Sequence, residues 1–168
     1  MCVNPRPRSD STSCDNAAVH AAITAAAAFL VAVLWFDLMF DVQVWPHRGE
    51  ELVPVAVIES IATYYRRVTT DASPMGKLIS VVMTALVALL VWQAVRGGTA
   101  AWVSIVSLAA TVTAVGLALT RVVPNAQRLG ARRDPHAVQS ALARRIFRDH
   151  LVFLGLMVTV LVVQLVAG

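Results

Sequence analysis

The chain has 168 residues, 58% of them hydrophobic and 14% charged, with a mean hydropathy of +0.69. A water-soluble domain has roughly a quarter of its residues charged, so this composition excludes an ordinary soluble fold and points to lipid-facing surface. The formal charge of +4 comes from 14 basic and 10 acidic residues. The arginines flank apolar runs without any nucleic-acid-binding motif, so nucleic acid is excluded as a partner and the basic residues are read as determinants of topology.

Residues 1–16 (MCVNPRPRSDSTSCDN) are rich in Pro, Ser, Asp and Asn and are expected to form a disordered tail. The tail holds both cysteines, Cys2 and Cys14, with no CxxC or Cys/His spacing that would suggest metal or redox chemistry. Residues 17–40 are apolar except for His20 near one end and Asp37 near the other. A run of about 24 residues crosses a hydrocarbon core of about 30 Å. It is long for a signal peptide and ends in WFDLMFDVQVW without a small-residue cleavage site, so a retained first helix is expected.

In residues 52–70, Pro54 suits a first helical turn, and Val55, Ile58, Ala62, Tyr65 and Val68 recur at three- and four-residue spacing. Glu59, Ser60, Thr63, Arg66 and Arg67 fill the other side, as in an amphipathic helix at the membrane interface or against the end of a bundle. Asp71-Ala72-Ser73-Pro74 ends it. Spans at 75–95 and 99–120 are separated only by Arg96-Gly97-Gly98, which predicts an antiparallel hairpin. A fourth span, 151–167, has Gln164 as its one strongly polar residue. Being short for a span, it is expected to continue backwards through 136–150 as one helix started by Asp134-Pro135. Small residues in the first span (Ala25 to Ala28) and third (Ser104, Ser107, Ala110, Ala114) permit close packing. The predicted fold class is all-α. A four-helix transmembrane bundle forms one domain over 17–168, with a short amphipathic interfacial helix between spans 1 and 2.

Four spans put both termini on one side together with the 96–98 turn. That side has Arg6, Arg8 and Arg96, and the other eleven basic residues fall on the opposite side. The positive-inside rule then predicts a multi-pass plasma-membrane protein with loops 1 and 3 cytoplasmic and both termini outside. The expected partners are the lipid bilayer with its anionic headgroups, and either a membrane-protein partner or a second copy of the chain.

Asp37 and Asp41 stand four residues apart on one helix face, near the cytoplasmic end of the first span. Carboxylates at that depth are costly and need partners, and Arg121, Arg148 and His150 are available on the same side. One reading is an ion-pair network in which Arg121 and Arg148 neutralise the two aspartates. The other is a reactive site with Asp37, Asp41, Asn125 and His150 as catalytic candidates and Trp35, Tyr64 and Tyr65 lining a pocket. The tyrosines, with Trp45, Trp92 and Trp102, also fit an aromatic girdle. His136 is expected to be solvated. There is no P-loop, GxSxG elbow, zinc motif or Glu-x-x-His pair, and no cofactor or metal is expected.

The polar end of the first span, the Tyr64-Tyr65 pair and the stretch Val122-Val123-Pro124-Asn125-Ala126-Gln127-Arg128-Leu129 together carry a resemblance. That stretch is similar to the Asn-Val-Pro-Leu-Asn-x-x-Leu turn of the anthrone-oxygenase-like family of small four-helix membrane proteins. Val122 replaces the first Asn of the motif, and the second is displaced to Asn125. The resemblance implies a membrane-embedded, cofactor-independent oxygenase or a related role on a hydrophobic aromatic substrate, with Asn125 the one residue carried over. The residues themselves lead no further than an integral plasma-membrane protein of undetermined activity, a small subunit of a membrane complex. The oxygenase-like enzyme, with its site at the cytoplasmic end of the bundle, is the alternative.

Overall fold

The computed structural model describes residues 9–71, 73–97 and 99–167, and among these there is no strand. Six α-helices follow in order: α1 (Ser9–Asp41), α2 (Val55–Arg66), α3 (Ser73–Arg96), α4 (Ala101–Leu117), α5 (Val123–Ala131) and α6 (His136–Ala167). Among the described residues, four helical segments are long and apolar enough to cross a membrane: Asp15–Val44, Pro74–Arg96, Ala101–Ala131 and His136–Ala167. α1 packs on α6, α6 on α4, α4 on α3 and α3 on α1, which closes a four-helix ring. α2 and α5 pack together and against α6 as a cap over one end.

Apolar residues at three- and four-residue spacing turn one stripe of each long helix inward. In α1 the stripe is Ile23, Ala27, Leu30 and Leu34, and in α6 it is Phe153, Met157 and Val160. The outward faces are apolar as well: Ile105 is 65% exposed, Leu119 68% and Val95 80%. A second core lies under the cap, where Val53, Ile58, Ile61 and Leu129 meet Leu142 and Ile146 of α6. At the far end of the ring, Gln93 and Gln164 exchange amide hydrogen bonds of 3.2 and 3.1 Å, and Gln164 also donates to Ser107 Oγ at 3.1 Å. This buried polar contact ties α3, α4 and α6 in register. The α3–α4 turn begins with Gly97 at φ 70°, a left-handed closure that glycine adopts without a Cβ clash.

α6 runs unbroken from His136, as the sequence predicts. At 1.5 Å per residue its 32 residues are about 48 Å long, so its first three turns are more than a hydrocarbon core of about 30 Å would need. Those turns hold the 45–54 loop. Arg144 donates to the carbonyls of His47 and Glu50 (3.1 and 2.7 Å), and Val53 N–H donates to Ser140 Oγ (3.2 Å). His136, expected in solvent, is half-buried with Nε2 2.7 Å from the Val53 carbonyl.

Three further expectations are revised. The stretch 122–129, read as a turn, is helical. Pro124 has no N–H to give, and just before it the ladder widens into a π-helical turn, Ala118–Val122, with Val123 N–H bonded to Ala118 O. In α2 the buried stripe is Ile58, Ile61, Ala62 and Tyr65; Val55 is 56% exposed, and Val68 lies beyond the helix in a second π-helical turn, Arg67–Asp71. In the tail expected to be disordered, residues 1–8 lie outside the described residues, and α1 begins at Ser9.

Candidate functional site

The two apolar cores are separated by a polar layer. Along α1 the inward stripe passes from Leu34 through Asp37 and Leu38 to Asp41. Along α6 it passes from Ile146 and Phe147 through Asp149 and His150 to Phe153. The last turn of α2 adds Tyr64 and Tyr65, whose neighbours Ile61 and Ala62 anchor that turn in the cap core. Helical spacing therefore brings two polar residues from each of three elements into one layer.

Asp41 has no exposed surface. Its Oδ1 accepts from the Tyr65 hydroxyl at 2.7 Å, and its Oδ2 lies 2.6 Å from His150 Nδ1. A carboxylate only accepts, so Nδ1 is the protonated nitrogen of the ring. The Tyr65 oxygen, 3.3 Å from Nδ1, is a second acceptor for that N–H. Asp37, one turn earlier, accepts from the Tyr64 hydroxyl through Oδ1 at 2.6 Å. Its Oδ2 is 4.0 Å from His150 Nε2, beyond hydrogen-bond reach. Tyr64 stacks on Phe40 with ring centroids 4.0 Å apart, which fixes the direction of its hydroxyl. Burial, and then the neighbouring Asp37, pushes the Tyr64 phenol far above its ordinary value; burial and Asp41 do the same to Tyr65. Both remain hydroxyl donors.

The aspartates are thus held by tyrosines and a histidine. Arg121, expected to pair with them, instead bonds Asp149 Oδ1 at 2.7 Å, and Arg148 is exposed and in no ion pair among the described residues. Helix geometry gives the reason. Asp149 and His150 are about 100° apart around α6, so one faces α4 and Arg121 while the other faces α1. Asp149, buried with Oδ2 lacking a partner, was not singled out in the sequence. Its position beside His150 at the start of an apolar run was the available signal.

A cleft of about 430 Å³ opens against this layer, and Asp37, Tyr65 and His150 lie on its wall while Asp41 stands behind them. Both π-helical turns border it, through Val68 and Thr69 on one side and Ala118, Leu119 and Val122 on the other. Such turns redirect side chains within a helix and recur at functional sites. Lys77 and Gln127 stand on the rim, neither marked in the sequence. Tyr64 contributes from behind, through Asp37. Trp35 is 63% exposed and is not part of the cleft wall; Asn125 is half-buried on α5, also off the wall. Among the described residues, no group of three His, Cys, Asp or Glu side chains is arranged to hold a metal ion.

In chemical terms, His150 is a histidine oriented from behind by a buried carboxylate. The residue lines the cleft with its Nε2 4.0 Å from a second carboxylate, an arrangement able to take up and return a proton. No protein-family model, curated relative or solved structure matches this chain.

Proposed function

We propose that this chain is a multi-pass membrane protein that binds a hydrophobic molecule in the cleft and exchanges a proton with it through His150. One observation carries the reading: Asp41, fully enclosed, fixes His150 through Nδ1 and leaves Nε2 without a hydrogen bond among the described residues, while His150 and Asp37 share the cleft wall. Asp41 and Tyr65 set the tautomer and orientation of the ring, in the role of positioning residues. Asp37, on the wall and steadied by Tyr64, is a second proton acceptor. The hydrophobic character of the substrate implied by the oxygenase-like resemblance is in keeping with a cleft walled by Leu30, Leu34, Met83 and Phe153.

The membrane setting rests on the apolar exterior of the four long helices, a surface far larger than monomeric soluble proteins expose. In this reading α2 and α5 lie at the interface. Eleven of the fourteen basic residues belong to the capped end, which is the cytoplasmic side of the plasma membrane.

The test compares membranes of cells producing the wild type with those producing His150→Gln at equal levels. Hydrophobic extracts are profiled by mass spectrometry. A compound converted with the wild type and unconverted with a folded His150→Gln protein is expected. Identical extracts, with both proteins folded, would sink the proposal.

A further inference from the structure

The cleft does not end at the polar layer. Ser80, Met83, Ala118 and Leu119 on its wall also line a second hollow of about 440 Å³, which continues between α3 and α4 to Val87, Ala88 and Val115. From Lys77 on the rim to Val87 is ten residues along α3, or about 15 Å. Val87 lies well inside Pro74–Arg96, so this seam opens at the depth of the acyl chains. Its two hydroxyl residues present little polarity. Ser80 Oγ donates to Gly76 O at 2.9 Å, and Thr84 Oγ1 to Ser80 O at 2.8 Å, both back into their own helix. The seam is therefore an apolar trough facing lipid, leading to a polar dead end.

The chemistry of that dead end restricts what can lie there. Asp37 Oδ2 faces it without a partner. In the neutral ring, with Nδ1–H given to Asp41, His150 Nε2 is also an acceptor; a direct bond between the two is ruled out by their 4.0 Å separation. Two acceptors side by side call for a donor. An anionic head would meet the carboxylates of Asp37 and Asp41, whereas a hydroxyl serves either acceptor.

On these grounds, and resting on the acid–base reading above, we infer that the ligand is a long-chain, hydroxyl-ended lipid. It enters sideways from the bilayer through the α3–α4 seam, with its hydroxyl at Asp37 and His150 and its chain along Met83, Ala118 and Leu119.

The test uses the full chain in phosphatidylcholine nanodiscs and two photoactivatable probes, a diazirine-bearing hexadecanol and the matching hexadecanoic acid. The alcohol is expected to label peptides carrying Met83 and Leu119 about fivefold more than the acid, as one well-placed hydrogen bond implies. Ala88→Trp narrows the seam at its lipid end and Leu119→Trp fills it. Both positions are exposed, so the fold tolerates the change, and each is expected to cut that labelling severalfold. Equal labelling by acid and alcohol, or labelling unmoved by both tryptophans, overturns the inference. His150→Gln separates the two readings, because glutamine still offers an acceptor. Labelling retained there upholds the lipid assignment even if no conversion is ever found, and labelling lost with the seam intact overturns it.

Discussion

Both oxygens of the fully enclosed Asp41 are engaged, one by the Tyr65 hydroxyl and one by His150, whereas Asp37 borders open space and keeps one oxygen unengaged. The same residue type therefore carries different costs at the two positions. Asp41→Ala strands two buried donors, at about 1–3 kcal/mol each, and is expected to lower thermal stability in detergent steeply. Asp37→Asn keeps an acceptor for Tyr64 and is expected to cost about 1 kcal/mol or less while removing the carboxylate on the cleft wall. Equal losses for the two variants would contradict this division. The tyrosines add a pH test. Their phenols titrate far above the ordinary value of 10.0, so the folded chain holds protons that the unfolded chain releases. Their contribution is fully present below pH 10 and declines as pH rises through that ordinary value. The tyrosinate absorbance of the folded protein should stay flat through pH 10 and appear only on unfolding; a rise near 10 in the folded state would contradict the hydrogen bonds to Asp37 and Asp41. The spacing of Asp37 and Asp41 and the nearness of His150 were legible in the sequence, because one helical turn and one span boundary define them. The tyrosines as their partners were not. Nothing local in α2 distinguishes a girdle tyrosine from one folded inward, and Arg121 offers the simpler charge match.

At the scale of elements, the site depends on how closely the cap sits. A Cβ built on Gly130 of α5 would lie 2.8 Å from Arg66 N and 3.0 Å from its Cα, so α5 and α2 touch backbone to backbone beside Tyr65. Both neighbours are main chain and have little room to give. Gly130→Ala is therefore expected to push α5 off α2 at about 1–3 kcal/mol, the usual range for overpacking. Because Tyr65 leaves with α2, the variant should also lower the pH at which tyrosinate appears. Stability and titration unchanged from the wild type would show that the two helices are not held this tightly. The exposed ion pairs of the cap, Arg132–Glu59 at 2.7 Å and Arg128–Asp134 at 3.0 Å, contribute less, about 0–1 kcal/mol each. The long helices were legible because hydrophobic length alone defines them, and the unbroken α6 followed from a fourth span too short to stand by itself. The course of 118–131 was not. Pro124 after an apolar run reads as a stop, and only packing of α5 on α2 makes a π-helical turn followed by more helix the better solution. The same turn shapes the cleft, so the feature hardest to read locally is one that forms the site.

On the scale of the whole molecule, the two ends are unlike. One holds the glutamine pair near the α3–α4 connection, and the other carries α2, α5, the 45–54 loop and the extended start of α6. The polar layer sits where the cap meets the ring. His150 immediately precedes the apolar run 151–167, so in the proposed membrane setting the aspartates would not be carried to mid-bilayer and their cost would be moderated. On the proposed reading, that position would let the site be served from two directions: protons from the capped side and a hydrophobic molecule from the lipid side. It also requires one orientation. With eleven basic residues at the capped end, the positive-inside rule predicts that end in the cytoplasm. Single cysteines introduced into a chain with Cys2 and Cys14 changed to Ser give the check. Gly49→Cys lies on the capped end, where a Cβ meets nothing within 4 Å, and Ala100→Cys lies exposed at the opposite turn. In intact cells a membrane-impermeant maleimide is expected to modify Ala100→Cys at once and Gly49→Cys only after permeabilisation. The reverse pattern would put the cap and its arginines outside. His150 would then draw protons from the exterior, and the direction of proton supply assumed for the cleft would be wrong even with every distance in the polar layer unchanged.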